Sequence, residues 1–203
     1  MNIFHQESDF IVLDKAPGVG VQSMRSKQIP NLVDLWASEN GGEILRPAHR
    51  LDVRASGLVV LARTQLAASR LSALFQEKRV GKSYEVRLWG QLPMAEVGPI
   101  EVSEALTKRN GRAWIDENGK QSVSIFEALD FREGCTDAKV ITKTGRFHQV
   151  RAHSAFLGCP VLGDVRYGGP QADRLFLHAS TLAFEHPRSG KPLVFSSAAP
   201  WMD

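Results

Sequence analysis

Cysteine is scarce in this chain: Cys135 and Cys159 are the only two in 203 residues. Two thiols far apart in sequence make neither a disulfide framework nor a cysteine-rich zinc site, so a reducing, cytoplasmic setting is expected. Long hydrophobic runs are lacking too. No apolar stretch is long enough to span a bilayer, and residues 1–10 are too polar and acidic for a signal peptide or membrane anchor. Nor is there a strong excess of one charge: 25 basic against 22 acidic residues leave a net charge of +3, with a sequence pI near 9.0. That balance permits a polyanionic partner without requiring one. Internal repeats, heptads, low-complexity tracts and Pro- or Gly/Ser-rich linkers are all missing, so a single domain over residues 1–203 is expected, working as a monomer. No Gly-x-Gly-x-x-Gly, phosphate-loop motif or clear metal-ligand cluster occurs, and no cofactor or metal is expected.

What is present is an ordinary globular composition, 43% hydrophobic and 23% charged, sufficient for one sizeable core. Phe10–Leu13 reads as a short strand that stops at the turn-like Lys15-Ala16-Pro17-Gly18. Gly57–Ala62 is apolar and β-branched, the pattern of a strand buried on both faces. Tyr84, Val86 and Leu88 alternate with Glu85 and Arg87 as in a half-buried strand, and Ser122–Phe126 and Ala138–Thr142 read similarly. Thr64 is a suitable N-cap for a helix that buries Ala67, Leu71, Leu74 and Phe75. A second helix is predicted over Phe147–Leu157, closed by Gly158 and Pro160. Interspersed strands and helices with several consecutive strands indicate an α+β protein.

Residues 91–121 carry two Asn-Gly pairs, at Asn110-Gly111 and Asn118-Gly119, and are expected to form a β-hairpin excursion. This span holds Lys108, Arg109, Arg112 and Lys120 around Trp114. It reads equally as a solvated loop or as an RNA-contacting arm, in which cations follow phosphates and an aromatic ring is available for stacking.

Two segments concentrate chemistry. In the first, Asp52 lies between Arg50 and Arg54, just before the buried strand. If the segment is extended, residues two apart share a face, and neighbouring cations would hold the carboxylate ionised and able to act as a nucleophile. By itself the segment reads first as an ordinary ion pair at a strand entry. In the second, Thr144, Gly145 and Arg146 open the predicted helix, a position suited to a phosphate. His148 and His153 are five apart rather than four, which argues against a metal pair on one helical face. His153 reads as a packed polar residue.

The motifs together resemble the RluA-type family of pseudouridine synthases over nearly the whole chain. Asp14-Lys15-Ala16-Pro17-Gly18 resembles the family's opening turn, and His49-Arg50-Leu51-Asp52 with Ser56-Gly57 its first catalytic motif. Lys82-Ser83-Tyr84 resembles the second; Gly145-Arg146, His148-Gln149 and Arg151 the third. Leu162-Gly163-Asp164 with Tyr167-Gly168, then Leu177-His178-Ala179, Leu182, Phe184, His186-Pro187 and Gly190, complete the order. Two departures stand out: Ala55 and Phe147 occupy positions where the family usually, or often, has threonine. The family pattern opens at Glu7–Lys15, so no separate N-terminal RNA-binding domain is expected.

The resemblance implies a pseudouridine synthase fold: a central, mostly antiparallel mixed sheet flanked by helices, with an RNA-binding cleft. It implies isomerisation of a uridine to pseudouridine in structured RNA, ribosomal or transfer. Asp52 takes the position of the nucleophile, Tyr84 that of the tyrosine that stacks on the target base, and Arg151 that of the arginine paired with the aspartate. Arg50, Arg54, Arg146 and His148, with Lys108, Arg109 and Arg112 of the hairpin, are the candidate RNA contacts. Breaking N1–C1′ and forming C5–C1′ oxidises nothing and imports no group, so no cofactor is needed in principle. A catalytically inactive RNA-binding protein of the same fold is the alternative. A two-carboxylate glycoside hydrolase would need a second acid, and Asp164 is placed in a structural turn.

Overall fold

The computed structural model describes residues 2–23, 29–92 and 98–202. The chain forms two compact units, one from residues 1–81 and 178–199, the other from residues 82–177 and 200–203.

In the first unit, strand β1 (Asn2–Gln6) pairs antiparallel with β2 (Phe10–Lys15), and β2 pairs antiparallel with β4 (Ser56–Ala62). On its other side β4 runs parallel to β11 (Leu177–Glu185), which pairs antiparallel with β12 (Pro192–Ser196). The two-residue β3 (Arg46–Pro47) adds to β4. All seven β4 residues are buried, as its unbroken apolar run requires. Helix α2 (Gln65–Gln76) starts where Thr64 accepts a hydrogen bond from the Ala67 N–H at 3.1 Å. It lays Ala67, Leu71 and Leu74 on the cluster formed by Phe10, Val12, Leu58 and Val60. Helix α1 (Leu32–Glu39) escapes a periodicity search because it buries only Leu32 and Trp36; Asn31, capping the Asp34 N–H at 3.1 Å, is its one local signal. Nor does the sequence predict strands β11 and β12.

The second unit is built on antiparallel strands in the order β5 (Gly81–Trp89), β10 (Cys135–Thr142), β9 (Val123–Arg132) and β6 (Ile100–Ser103). Part of the expected excursion over 91–121 is therefore a sheet strand: β6 alternates around buried Val102 and is too short to announce itself. Residues 93–97 of that span lie outside the described residues. The rest is the expected hairpin, β7 (Leu106–Arg109) and β8 (Arg112–Ile115). Its turn residues Asn110 and Gly111 both have positive φ, 49° and 69°, the two-residue geometry that Asn-Gly favours.

Helix α3 (Gln149–Phe156) begins two residues later than the sequence predicts, because His148 adopts a left-handed conformation with φ 52°. Gln149 fixes that start. Its buried amide accepts from the Thr144 hydroxyl and the Arg146 N–H, at 2.8 and 3.0 Å, and donates to Val123 O and Ser124 Oγ, both at 2.9 Å. His153 is fully buried with Nδ1 3.0 Å from Ser124 Oγ, the packed polar role expected for it.

The α+β expectation holds, and the strand pairings named are antiparallel apart from the parallel pair β4–β11. Among the described residues no helix is long and apolar enough to cross a membrane.

Candidate active site

Asp52 sits on a short turn between β3 and β4, closed by the Ala55 N–H donating to Asp52 O at 3.1 Å. Val53 and Arg54 are turn residues. The extended alternation assumed for Arg50, Asp52 and Arg54 therefore does not carry through to Arg54. Arg50 and Arg54 are exposed and Asp52 half-buried.

The turn is held from beneath by a residue to which the sequence reading gave no role, Lys15. Its side chain is 1% exposed, and its ammonium donates to the carbonyls of Ala16 and Val19 at 2.9 Å, Val53 at 3.2 Å and Ala55 at 2.5 Å. The Gly18 N–H adds a bond to Val53 O at 2.8 Å. Burial pushes the Lys15 pKa down to about 8, while the charges of Asp52 and Asp14 pull it back up. Lys15 thus remains largely cationic at neutral pH. It is a buried positive charge that interacts with Asp52, and its attraction favours the ionised carboxylate. The clamp ties the Asp14–Gly18 turn to the Asp52 turn and gives both motifs one physical purpose.

Two further residues frame the turn. His49 Nε2 accepts from the Val60 N–H at 3.0 Å, and its ring stacks on Phe75 at 4.4 Å. Ser56 Oγ lies 3.0 Å from His178 Nδ1, both buried. Gly57 has φ 110°, and a Cβ there would lie 2.4 Å from Ala179 O and 2.5 Å from Ala179 N. Only glycine lets β11 approach β4 this closely. Gly57→Ala is expected to destabilise the protein by on the order of 3 kcal/mol through strain and overpacking. A urea unfolding midpoint equal to that of the wild type would contradict this.

In the second unit, Tyr84 is half-buried on β5 opposite Val140. The preceding Lys82 is pushed below the ordinary lysine pKa by burial. A Cβ on Gly145 would meet its ammonium nitrogen at 3.1 Å, so the second and third motifs meet there.

Arg151 is 4% exposed and forms a two-pronged pair with Asp164, Nε to Oδ2 at 2.6 Å and Nη2 to Oδ1 at 2.8 Å. Asp164, 0% exposed, is more than the structural turn residue expected from sequence: it orients the Arg151 guanidinium. Nη1 of Arg151 lies 2.9 Å from His148 Nε2. Arginine can only donate, so Nε2 accepts and the neutral ring carries its proton on Nδ1. That nitrogen is 3.1 Å from the Tyr167 hydroxyl, which also accepts from the Ala113 N–H at 2.7 Å. The left-handed backbone of His148 aims its ring into this network, and an uncommon conformation of this kind is found where positioning matters.

The cationic candidates of the second unit separate into groups. Arg109 is paired with Asp116. Arg112 stacks between Trp114 and Tyr167, 4.1 and 4.7 Å from the ring centres. Lys108 is exposed, with its ammonium 4.5 Å from the Phe147 ring centre. Arg146 donates from Nε to Gln121 O at 3.1 Å. Of the phosphate site expected at Thr144, Gly145 and Arg146, Gln149 takes two donors, the Thr144 hydroxyl and the Arg146 N–H.

One acid and histidine grouping among the described residues has metal-like spacing: Glu7, Asp9 and His186. It does not fit a cation. His186 Nδ1 accepts from the N–H groups of Arg188 and Ser189, so Nε2 carries the proton, and it lies 2.8 Å from a Glu7 carboxylate oxygen. Both oxygens of Asp9 are held by Arg188, at 2.6 and 2.7 Å.

On an α+β scaffold, the first unit carries a carboxylate on a lysine-clamped turn, and the second carries a buried, oriented arginine and a half-buried tyrosine. The sequence model of the RNA pseudouridylate synthase family matches residues 9–156. The chain is 34% identical to the dual-specificity RNA pseudouridine synthase RluA of Pasteurella multocida, over 97% of this chain and 92% of that protein. It is 30% identical to the ribosomal large subunit pseudouridine synthase C of Vibrio cholerae, over 94% of this chain and 63% of that one. Among solved structures, human RNA pseudouridylate synthase domain containing 1 superposes with a TM-score of 0.83 at 26% identity, covering 99% of this chain and 84% of that one. The chain belongs to the RNA pseudouridylate synthase family.

Proposed function

We propose that this protein isomerises a specific uridine to pseudouridine in structured RNA, with ribosomal and transfer RNA as the substrate classes. The observation that carries the proposal is the Asp52 turn clamped by the Lys15 ammonium, in a chain that matches RNA pseudouridine synthases along nearly its whole length. The reaction breaks the N1–C1′ bond, turns the uracil and joins C5 to C1′; the proton lost from C5 is balanced by one gained at N1. Asp52 is the nucleophile of this rearrangement. It needs to be ionised for any of its possible parts, whether bonding C1′, attacking C6 or taking a sugar proton, and the Lys15 charge favours that state.

Tyr84 provides the stacking surface for a uridine extruded from its helix or loop, at an unstacking cost of a few kcal/mol. Arg151 stands at the family's arginine position, oriented by Asp164 and His148. Arg50, Arg54, Arg146 and Lys108 meet phosphates. Arg109, paired with Asp116, and Arg112, stacked on Trp114 and Tyr167, add positive field, and His148 acts through Arg151. Residues 1–203 operate as one catalytic domain, as a monomer and in the cytoplasm.

Incubating the protein with RNA from cells that lack it, then mapping pseudouridine, tests the function. RNA binding without product would instead identify an inactive binding protein. Tyr84→Phe is expected to retain most activity if stacking is the main role of the ring. A loss of more than about a hundredfold would assign the hydroxyl to proton transfer, whose usual contribution is of that size or larger.

A further inference from the structure

Hairpin β7–β8 and the turn at residues 145–147 enclose a cavity of about 470 Å³ in the second unit. Its apolar wall is Leu106, Ala113 and Phe147, and its charged lining is Lys108, Lys120 and Arg146, with no carboxylate among the lining residues. The nearby Asp116 is turned to other partners, accepting from Arg109 and from the Asn118 N–H. The cavity therefore combines an apolar surface with three cations, and its volume is in the range of small-ligand sites.

The geometry of Phe147 indicates what the cavity holds. Its ring packs against the cluster of Leu106, Ala113, Ala152 and Tyr167. The His148 ring covers one face at 3.8 Å, so the Lys108 ammonium, 4.5 Å from the ring centre, lies on the other. Phe147 and Lys108 both line the cavity. Lys108 is on an exposed, flexible stem and can leave the ring for a stronger anionic partner. Arg146 is less free, being anchored to Gln121 O. A bare phosphate would satisfy the cations and leave the aromatic wall facing water. A nucleotide satisfies both.

We propose that this cavity receives one unpaired nucleotide of the substrate RNA other than the target uridine, its base laid on Phe147 and its flanking phosphates held by Lys108, Lys120 and Arg146. The proposal rests on the RNA-modifying reading above and adds a second point of recognition to it. Base–aromatic stacking tolerates any base, so the cavity selects an unpaired nucleotide at a set distance from the target rather than a sequence. Phe147 is one of the two departures from the family pattern; a threonine there offers no stacking face, so this contact belongs to the present chain.

The test uses the full chain and tRNA and rRNA fractions from cells lacking it, with binding and KM measured over a salt series. Phe147→Leu keeps an apolar side chain and removes the stacking face. It is expected to raise KM roughly fivefold or more without changing the salt dependence. Lys108→Gln combined with Lys120→Gln is expected to flatten the slope of log K against log salt by about 1.4, at roughly 0.7 per lost phosphate contact on a single strand. Phe147→Tyr retains the ring and is expected to bind as the wild type does, which separates loss of stacking from loss of packing if Phe147→Leu proves poorly folded. Wild-type affinity and slope in Phe147→Leu and the lysine double variant, from a protein that does form pseudouridine, would overturn the cavity assignment and leave the enzymatic function standing. A flattened slope with no effect at Phe147 would make it a phosphate site only and overturn the nucleotide. If the wild-type chain forms no pseudouridine, the enzymatic reading fails, and the binding series still decides the cavity.

Discussion

Asp52→Asn is expected to abolish pseudouridine formation, by at least ~10⁴-fold, while RNA binding persists. Asparagine preserves the shape of the side chain and cannot supply the negative charge that the proposed attack, or the electron-poor C1′ left by the uracil, demands. The turn itself survives, because it is closed by the backbone bond from Ala55 N–H to Asp52 O and by Lys15 bonding the carbonyls of Val53 and Ala55. Stability therefore changes little, and the loss is chemical. Release of tritium from C5 of labelled uridine, measured under single-turnover conditions, gives the rate, and gel retardation gives the affinity. Activity equal to wild type would remove Asp52 from the mechanism. Loss of binding together with activity would show that the carboxylate acts in recognition instead.

The second large effect falls on Asp164, a residue with no direct part in the chemistry. Asp164→Ala removes two charge-assisted bonds from an arginine only 4% exposed. Truncating one partner of a buried pair of this kind typically costs 3–5 kcal/mol, roughly. The variant is expected to unfold at a markedly lower urea concentration and to lose activity, because Arg151 is no longer aimed. Asp164→Asn separates the two consequences. It retains one acceptor and the turn, in which the Asp164 carbonyl accepts from Tyr167 and Gly169 at 2.9 and 3.0 Å. Its stability loss should be smaller and its activity loss comparable. If Asp164→Asn is fully active, Arg151 does not depend on its carboxylate partner.

Local sequence signals of three kinds were sufficient for much of the fold. The unbroken apolar run of β4 announces burial on both faces, the Thr64 cap with its spaced apolar residues announces α2, and Asn110-Gly111 announces the β7–β8 turn. Elements with weak local signals were not legible. Helix α1 buries two side chains, β6 has four residues, and β11 is recognisable as a strand only once β4 lies beside it. Helix α3 starts two residues later than the sequence predicts because the left-handed turn at His148 is stabilised by Gln149 reaching across to β9.

The sequence by itself determined the identity of the chemical groups. Asp52, Tyr84 and Arg151 stand at positions whose motifs recur in family order, and that order can be read without coordinates. Tertiary structure decided what each group is attached to. It revealed Lys15 as the buried cation beneath the Asp52 turn, Asp164 as the carboxylate that aims Arg151, and the division of the hairpin's basic residues between internal partners and an open cavity. The physical reason is that a hydrogen bond or ion pair depends on a few ångströms in space. Lys15 and Ala55 are 40 positions apart in the chain, and their 2.5 Å contact exists only because β2 and β4 pair in one particular register.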